Sequence, residues 1–191
     1  TLSTSNNITW TGTFTPTTNT EDSSNTLVID TSFTDSDGNS MASSYTSSSY
    51  AIDTKAPTVV ITSDTVDNGS ASNDAFITLT FTFHESVSDF VQDDLTVSGG
   101  QIEDFSGSGT TYTANFYPTV KLVDTTIDIG TGKFTDAVGN SNTTAATQFK
   151  WNYDGQKPLM SITGVKRVSP WGFYDNYNYQ ITTASLDEGD I

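Results

Sequence analysis

Ile77-Thr78-Leu79-Thr80-Phe81-Thr82-Phe83 reads with a period of two: four large apolar side chains fall on one face and three hydroxyls on the other. Successive side chains of a β-strand point to opposite faces, so this stretch is a strand with one buried side. Outward from it, Tyr112, Ala114 and Phe116 alternate in the same way, as do Ile127 and Ile129. Further strands are expected over 58–62, 94–98, 101–105 and 146–153. Turn sequences separate them: Asp67-Asn68-Gly69, Gly99-Gly100, Gly107-Ser108-Gly109 and Gly139-Asn140. The one helical candidate, 88–94, is long enough for a single turn. The chain is therefore all-β, with short strands that each bury one side.

Composition agrees. Of 191 residues only 34% are hydrophobic, while 24 Ser and 35 Thr supply hydroxyls for exposed strand faces. Asp outnumbers Glu by 19 to 4, which places most of the acid in turns, where a short carboxylate can bond its own backbone or ligate a hard cation. A net charge of −16 repels phosphate backbones and anionic membrane surfaces, which excludes nucleic acid as a partner. The longest useful apolar run is Val59-Val60-Ile61, far short of the roughly 20 residues a membrane-spanning helix needs, so no membrane insertion is expected. The start, Thr1-Leu2-Ser3-Thr4, has neither a basic nor an apolar segment, and Leu186-Asp187-Glu188-Gly189-Asp190-Ile191 stops in mid-pattern. The sequence is expected to be a window on a longer chain. With no Cys, it has neither disulfides nor thiolate chemistry.

The strongest signal is an internal repeat. Phe33-Thr34-Asp35-Ser36-Asp37-Gly38-Asn39 aligns with Phe134-Thr135-Asp136-Ala137-Val138-Gly139-Asn140 at an offset of 101, which also brings Tyr50 onto Trp151, Ile52 onto Tyr153, Asp53 onto Asp154 and Pro57 onto Pro158. Upstream, Trp10-Thr11-Gly12-Thr13-Phe14 aligns with Tyr112-Thr113-Ala114-Asn115-Phe116 at an offset of 102. The chain then divides into the back part of one repeat (1–56), a whole repeat (57–157) and the front of a third, divergent one (158–191). A unit of about 100 residues is large enough to fold as its own domain, and about seven strands in that length is the count of an immunoglobulin-like Greek-key sandwich. The expected architecture is a linear array of such sandwiches.

The residues also carry a family resemblance. Phe90-Val91-Gln92-Asp93-Asp94-Leu95-Thr96-Val97-Ser98-Gly99-Gly100, then 105–114, then Asp136 to Asn140, and the Asp53-Thr54-Lys55-Ala56-Pro57 junction resemble the bacterial immunoglobulin-like repeats of giant surface adhesins. The likeness covers 1–158 and fades beyond it, where Lys166-Arg167-Val168-Ser169-Pro170-Trp171 has no counterpart in the middle repeat. The resemblance implies a secreted, extracellular or cell-surface chain acting as an extender stalk or filament body, with calcium at domain junctions. Its implied partners are neighbouring repeats of the same chain and other copies in a filament, any glycan or host-surface ligand being left to a distal domain. A carbohydrate-binding module array and a phage or virion decoration fibre use the same sandwich.

Calcium is the one ligand with a physical argument. Asp35, Asp37 and Asn39 space two carboxylates and an amide around Gly38, as a loop wrapping a hard cation would, although an Asx-stabilised turn uses the same residues. In the middle repeat the pattern shrinks to Asp136-Ala137-Val138-Gly139-Asn140, with one carboxylate gone. Asp53 and Asp154 recur four residues before Pro57 and Pro158, where one repeat hands over to the next. The resemblance carries junction calcium to Asp53 and Asp154, with Asp136 or Asp35 as the neighbouring acid; Lys55 and Lys157 are the competing counter-charges. Catalysis is not expected. His84, followed by Glu85, is the only His, and no Gly-x-Ser-x-Gly elbow is present.

Trp10, Phe14, Phe33 and Tyr50 match Tyr112, Phe116, Phe134 and Trp151, and all eight are expected in sandwich cores. Trp171, Phe173, Tyr174, Tyr177 and Tyr179 form a separate aromatic cluster suited to stacking on sugars, although Tyr177, Tyr179 and Ile181 also align with Ile77, Leu79 and Phe81. Asn7, Asn68 and Asn142 each open an Asn-x-Ser/Thr sequon in an expected turn.

Overall fold

Short alternating segments become short strands. The computed structural model describes residues 2–157, 160–168 and 178–186. The first region holds β1 (Leu2–Thr4), β2 (Trp10–Gly12), β3 (Glu21–Asn25), β4 (Val28–Ile29), β5 (Tyr45–Thr46) and β6 (Tyr50–Asp53). The middle region holds β7 (Val59–Ser63), β8 (Ala71–Ser72), β9 (Ile77–Val87), a 3-10 turn (Gln92–Asp94), β10 (Leu95–Ser98), β11 (Gly100–Pro118), β12 (Leu122–Ile129) and β13 (Phe149–Asp154). Then follow β14 (Met160–Val168) and β15 (Asn178–Leu186).

The middle region is a sandwich of two sheets, ordered β11-β9-β7 and β10-β12-β13-β8. β11 is a hairpin. Ser106 bonds Thr113 and Asn115 donates to Asp104, so the run turns back on itself around Gly107 and Gly109. Gly107 is required there: its φ is +141°, and a Cβ on it would lie 2.4 Å from the Cα of Tyr112. Counting the two arms separately gives four strands in each sheet. The first strand is split, since β7 pairs antiparallel with β9 while β8 crosses to lie parallel to β13 in the other sheet. Strand β8, two residues long, has no alternation by which the sequence could announce it.

Inward parity fills the space between the sheets. Ile77, Leu79, Phe81 and Phe83 are buried, together with Tyr112, Ala114, Phe116, Ile127, Ile129, Phe134, Phe149 and Trp151. Aromatic rings meet edge to face, Phe83 with Phe134 at 4.8 Å and Phe116 with Trp151 at 6.1 Å. Polar atoms carried inside find partners: Trp151 Nε1 donates to Ser72 Oγ, and Tyr112 Oη to the Val87 carbonyl. Asn142 is 2% exposed, and its amide accepts from the Lys133 and Phe134 N–H groups and donates to the Gly130 and Thr144 carbonyls. Its sequon is therefore sealed in the folded chain. Asn7 and Asn68 are exposed.

The first region repeats the backbone pairing of the middle one. Glu21 sits opposite Asp53 as Leu122 sits opposite Asp154, and the bridge Thr34–Ser40 recurs as Thr135–Ser141. The Thr54 N–H bonds the Thr20 carbonyl just as the Gly155 N–H bonds that of Lys121. Its expected core is nevertheless not buried. Trp10, Phe14 and Phe33 are 57%, 54% and 54% exposed, and Tyr50 is half-buried. In the middle region β7 and β9 cover the matching side chains, and residues 1–56 contain no counterpart of either strand.

In the last region β14 and β15 form an antiparallel pair with Met160 opposite Leu186, as Val59 lies opposite Phe83. A register shift around Gly164 displaces this pairing from the simple 100-residue alignment of Tyr179 and Ile181. Trp171, Phe173, Tyr174 and Tyr177 lie outside the described residues.

Candidate junction site

Three carboxylates meet where β6 ends and the middle sandwich begins. Asp53, Glu85 and Asp136 each offer an oxygen, all within 4.8 Å of one another. Each arrives by a different local route. Asp53 closes β6, held by pairing with Glu21, and its Oδ1 caps the turn by accepting the Lys55 N–H at 3.0 Å. Glu85 follows Phe83 on β9 at the next inward position, so the strand that builds the core also delivers this acid. Asp136 is brought alongside by its bridge to Val87 on β9.

The three acids differ in what already holds them. Asp136 is buried, and its Oδ1 accepts the N–H groups of Val138, Gly139 and Asn140 at 2.7–2.9 Å, while Oδ2 accepts from Asn140 Nδ2 at 2.7 Å. Burial works to raise its pKa, but the hydrogen bonds from the Asn140 side chain and from these backbone groups prevail and hold it below the usual carboxylate range. Glu85 has the opposite balance. Oε1 is buried without a hydrogen-bond partner; His84 Nε2 lies 2.9 Å away, off the line a hydrogen bond needs. Burial, together with repulsion from Asp136, Asp53 and Glu21, pushes the Glu85 pKa up against the opposing pull of His84. His84 itself is fixed by the Thr58 N–H, which donates to Nδ1 at 3.0 Å.

Asn140 ties the two sides together. Its Nδ2 reaches the Asp53 carbonyl at 3.3 Å and Asp53 Oδ1 at 3.4 Å while also bonding Asp136. Lys55, a competing counter-charge by sequence, turns instead to Glu21, 3.3 Å away, and Lys157 is exposed. The cluster is thus crowded with negative charge, offers only oxygen ligands and contains one buried oxygen lacking a donor. Such a site can take up a proton or a hard cation.

Of the acids singled out by sequence, the structure brings Asp53 and Asp136 together. Asp154 ends β13 as Asp53 ends β6 and caps the same turn, accepting the Gln156 N–H at 2.9 Å. Asp35 and Asp37 lie apart from the cluster. Asp35 accepts from the side chain and N–H of Asn39 and from the Asp37 N–H, and the Asn39 bonds hold its carboxyl below the usual range. This is the Asp136 turn over again, here exposed. Glu85 and Asn140 escaped the sequence reading. The signal for Glu85 was its parity, an acid in step with Ile77, Leu79, Phe81 and Phe83; for Asn140 it was recurrence with Asn39.

Two four-stranded layers, a first strand shared between them and an acidic seam at one end define an immunoglobulin-like sandwich with a junction surface. The chain belongs to the bacterial Ig-like domain family, whose model matches residues 1–52 and again 53–153. No curated protein and no solved structure matches the chain. Domains of this family are typically non-catalytic and commonly belong to extracellular or surface proteins. Among the described residues, no helix is long and apolar enough to cross a membrane.

Proposed function

We propose that this chain is a stretch of an extracellular adhesin or fibre in which tandem Ig-like repeats act as an extender stalk or filament body, stiffened by calcium between repeats. The observation that carries the reading is the Asp53, Glu85 and Asp136 cluster: one acid ends a repeat, two belong to the next, and Glu85 Oε1 is buried without a donor. Holding three carboxylates this close is costly unless a counter-charge arrives; neither lysine near the junction supplies one, and His84, 2.9 Å from Glu85 Oε1, offsets at most one charge when protonated. The donor set fits calcium, which takes oxygen ligands in flexible geometry. Asp53, Glu85 and Asp136 would hold it, with the Asn140 amide oxygen available after a turn about the last side-chain bond. Bound there, calcium would neutralise the seam and link β6 to β9, so that a bend between repeats would have to break ligand contacts. Asp154 would play the part of Asp53 at the following junction, and Asp35, with Asp37 beside it, the part of Asp136 at the preceding one. The Thr-rich outer faces support a mechanical role.

Small-angle scattering of the chain with calcium and with chelator tests this. The expected result is a longer maximum dimension and a narrower spread of shapes with calcium, both abolished by Glu85→Gln. An unchanged maximum dimension rejects calcium stiffening.

A further inference from the structure

We propose that β8 and β13 form a shear clamp by which the middle repeat resists tension along the chain. This rests on the stalk reading above, names the part of the fold that takes its load, and requires no metal.

The clamp follows from where the chain enters and leaves the sandwich. Tension enters ahead of β7 and β8 and leaves beyond Asp154, the last residue of β13. Strand β8 lies parallel to β13, with Ala71 beside Asn152 and Ser72 beside Tyr153. In a parallel pair the start of one strand and the end of the other lie at opposite ends. Tension therefore draws β8 and β13 in opposite directions along a common line, and the bonds between them lie across the pull and have to break together. Two strands drawn apart from the same end open one bond at a time, at lower force. The antiparallel β7–β9 ladder stands upstream in the same path, with Val59 and Ile61 buried; once it yields, tension passes to β8.

A two-residue strand would hold weakly, and flanking groups lengthen the contact. The Asn152 N–H donates to the Ser70 carbonyl at 3.0 Å, and the Gly69 N–H to that of Lys150 at 2.8 Å. Asn68 adds a further rung: its Oδ1 accepts the Lys150 N–H and its Nδ2 donates to the Gln148 carbonyl, both at 2.9 Å. Although Asn68 is exposed and sits in a turn, both ends of its amide are thus engaged on a strand distant in sequence. The Trp151 side chain supplies one more bond, from Nε1 to Ser72 Oγ at 3.0 Å. Contact now runs from Asn68 to Ser72 against Gln148 to Asn152. The opposing strand is firmly held, since β13 pairs with β12 from Phe149 to Asp154 and Trp151 is fully buried.

Single-molecule force spectroscopy of the full chain in chelator tests the proposal independently of calcium. Handles on the two termini load the clamp in shear. The chain has no Cys, so handles on Asp67→Cys and Thr147→Cys, both exposed and at the starts of the two strands, unzip it instead. The expected result is a lower unfolding force in the unzipping geometry. With terminal handles, Asn68→Ala should unfold about three- to tenfold faster at fixed load. Asn142→Ala removes bonds within 130–144 and none in the clamp, so it should weaken the fold at equilibrium yet leave the loaded rate within about twofold of wild type. Near-ultraviolet circular dichroism of the buried Trp151 verifies that each variant retains the middle sandwich. Equal forces in the two geometries, a loaded rate indifferent to Asn68→Ala, or an equal acceleration by Asn142→Ala would overturn the proposal. Such a failure with calcium stiffening intact in scattering leaves the stalk standing and removes only the clamp.

Discussion

Phe116 and Phe14 are the same residue at the same place in two copies of one pattern, yet the first has no exposed surface and the second is 54% exposed. Phe116 is paired with Ile77 inside β11, while Phe14 lies beyond the end of β2. The closing end of the strand pair, the Asx turn and the bridge recur at a fixed offset, down to individual backbone hydrogen bonds, before β3–β6 shifts register between Asp22 and Asn25. What differs is that Phe116 has β9 beside it in its own sheet and Trp151 against it from the other, while residues 1–56 hold no counterpart of β7 or β9. Backbone pattern is thus set by neighbours in sequence, while burial is a property of two sheets together.

The largest expected contrast uses that pair directly. Phe116→Ala should cost about 3–5 kcal/mol in urea unfolding, and Phe14→Ala at low concentration within about 0.5 kcal/mol of nothing. Equal losses would show that the first region has a core after all. Asn142→Ala comes next. It strands several buried backbone groups and should cost about 2–3 kcal/mol, whereas its counterpart at an offset of 101, the half-buried Met41, has no such network to lose. Gly100→Ala should cost about 1–3 kcal/mol, since its Cβ would lie 2.3 Å from the Phe116 ring.

The smallest effect sharpens the contrast between the two Asx turns. Glu85, whose pKa is raised in the folded chain, binds its proton more tightly there than when unfolded. In chelator its ionisation therefore weakens the fold as pH rises from the unfolded value, about 4.3, through the folded one. Glu85→Gln should raise Tm by a few degrees (about 2–4 °C) at neutral pH and lose that advantage near pH 4, by thermal scanning in chelator. Asp136, with its pKa lowered, acts in the opposite sense. Its contribution is complete above the unfolded carboxylate pKa and lost as pH falls through the folded one. In excess calcium, at about 100 times the dissociation constant, the wild-type chain should gain about 2.7 kcal/mol and Glu85→Gln should lose that gain.

Much of this was legible in the residues. The alternation of Ile77 to Phe83 fixed the inward face of β9, and the 101-residue offset anticipated that the Asp53 turn would return at Asp154. The resemblance left Asp136 or Asp35 as the acid beside Asp53, and it is Asp136 that lies there. Glu85 was harder to see, because an acid directly after the only His reads as the end of a strand until inward parity is carried one step further. The exposure of Trp10, Phe14 and Phe33 could not be read from their own pattern, which is that of buried residues; it depends on strands absent from that stretch. Asn142 shows the converse, since a sequon records three residue types and says nothing of the carbonyls that surround them.

Residues 1–56 and 57–157 share one pattern, and the first stretch lacks counterparts of β7 to β10. Hydrogen exchange of the intact chain at low concentration tests it most directly. Amides of β9, β12 and β13, each paired on both sides, should exchange only through global unfolding, and those of β2 and β6, each paired on one side, orders of magnitude faster. Uniform protection across both regions, lost in one cooperative step, would contradict it.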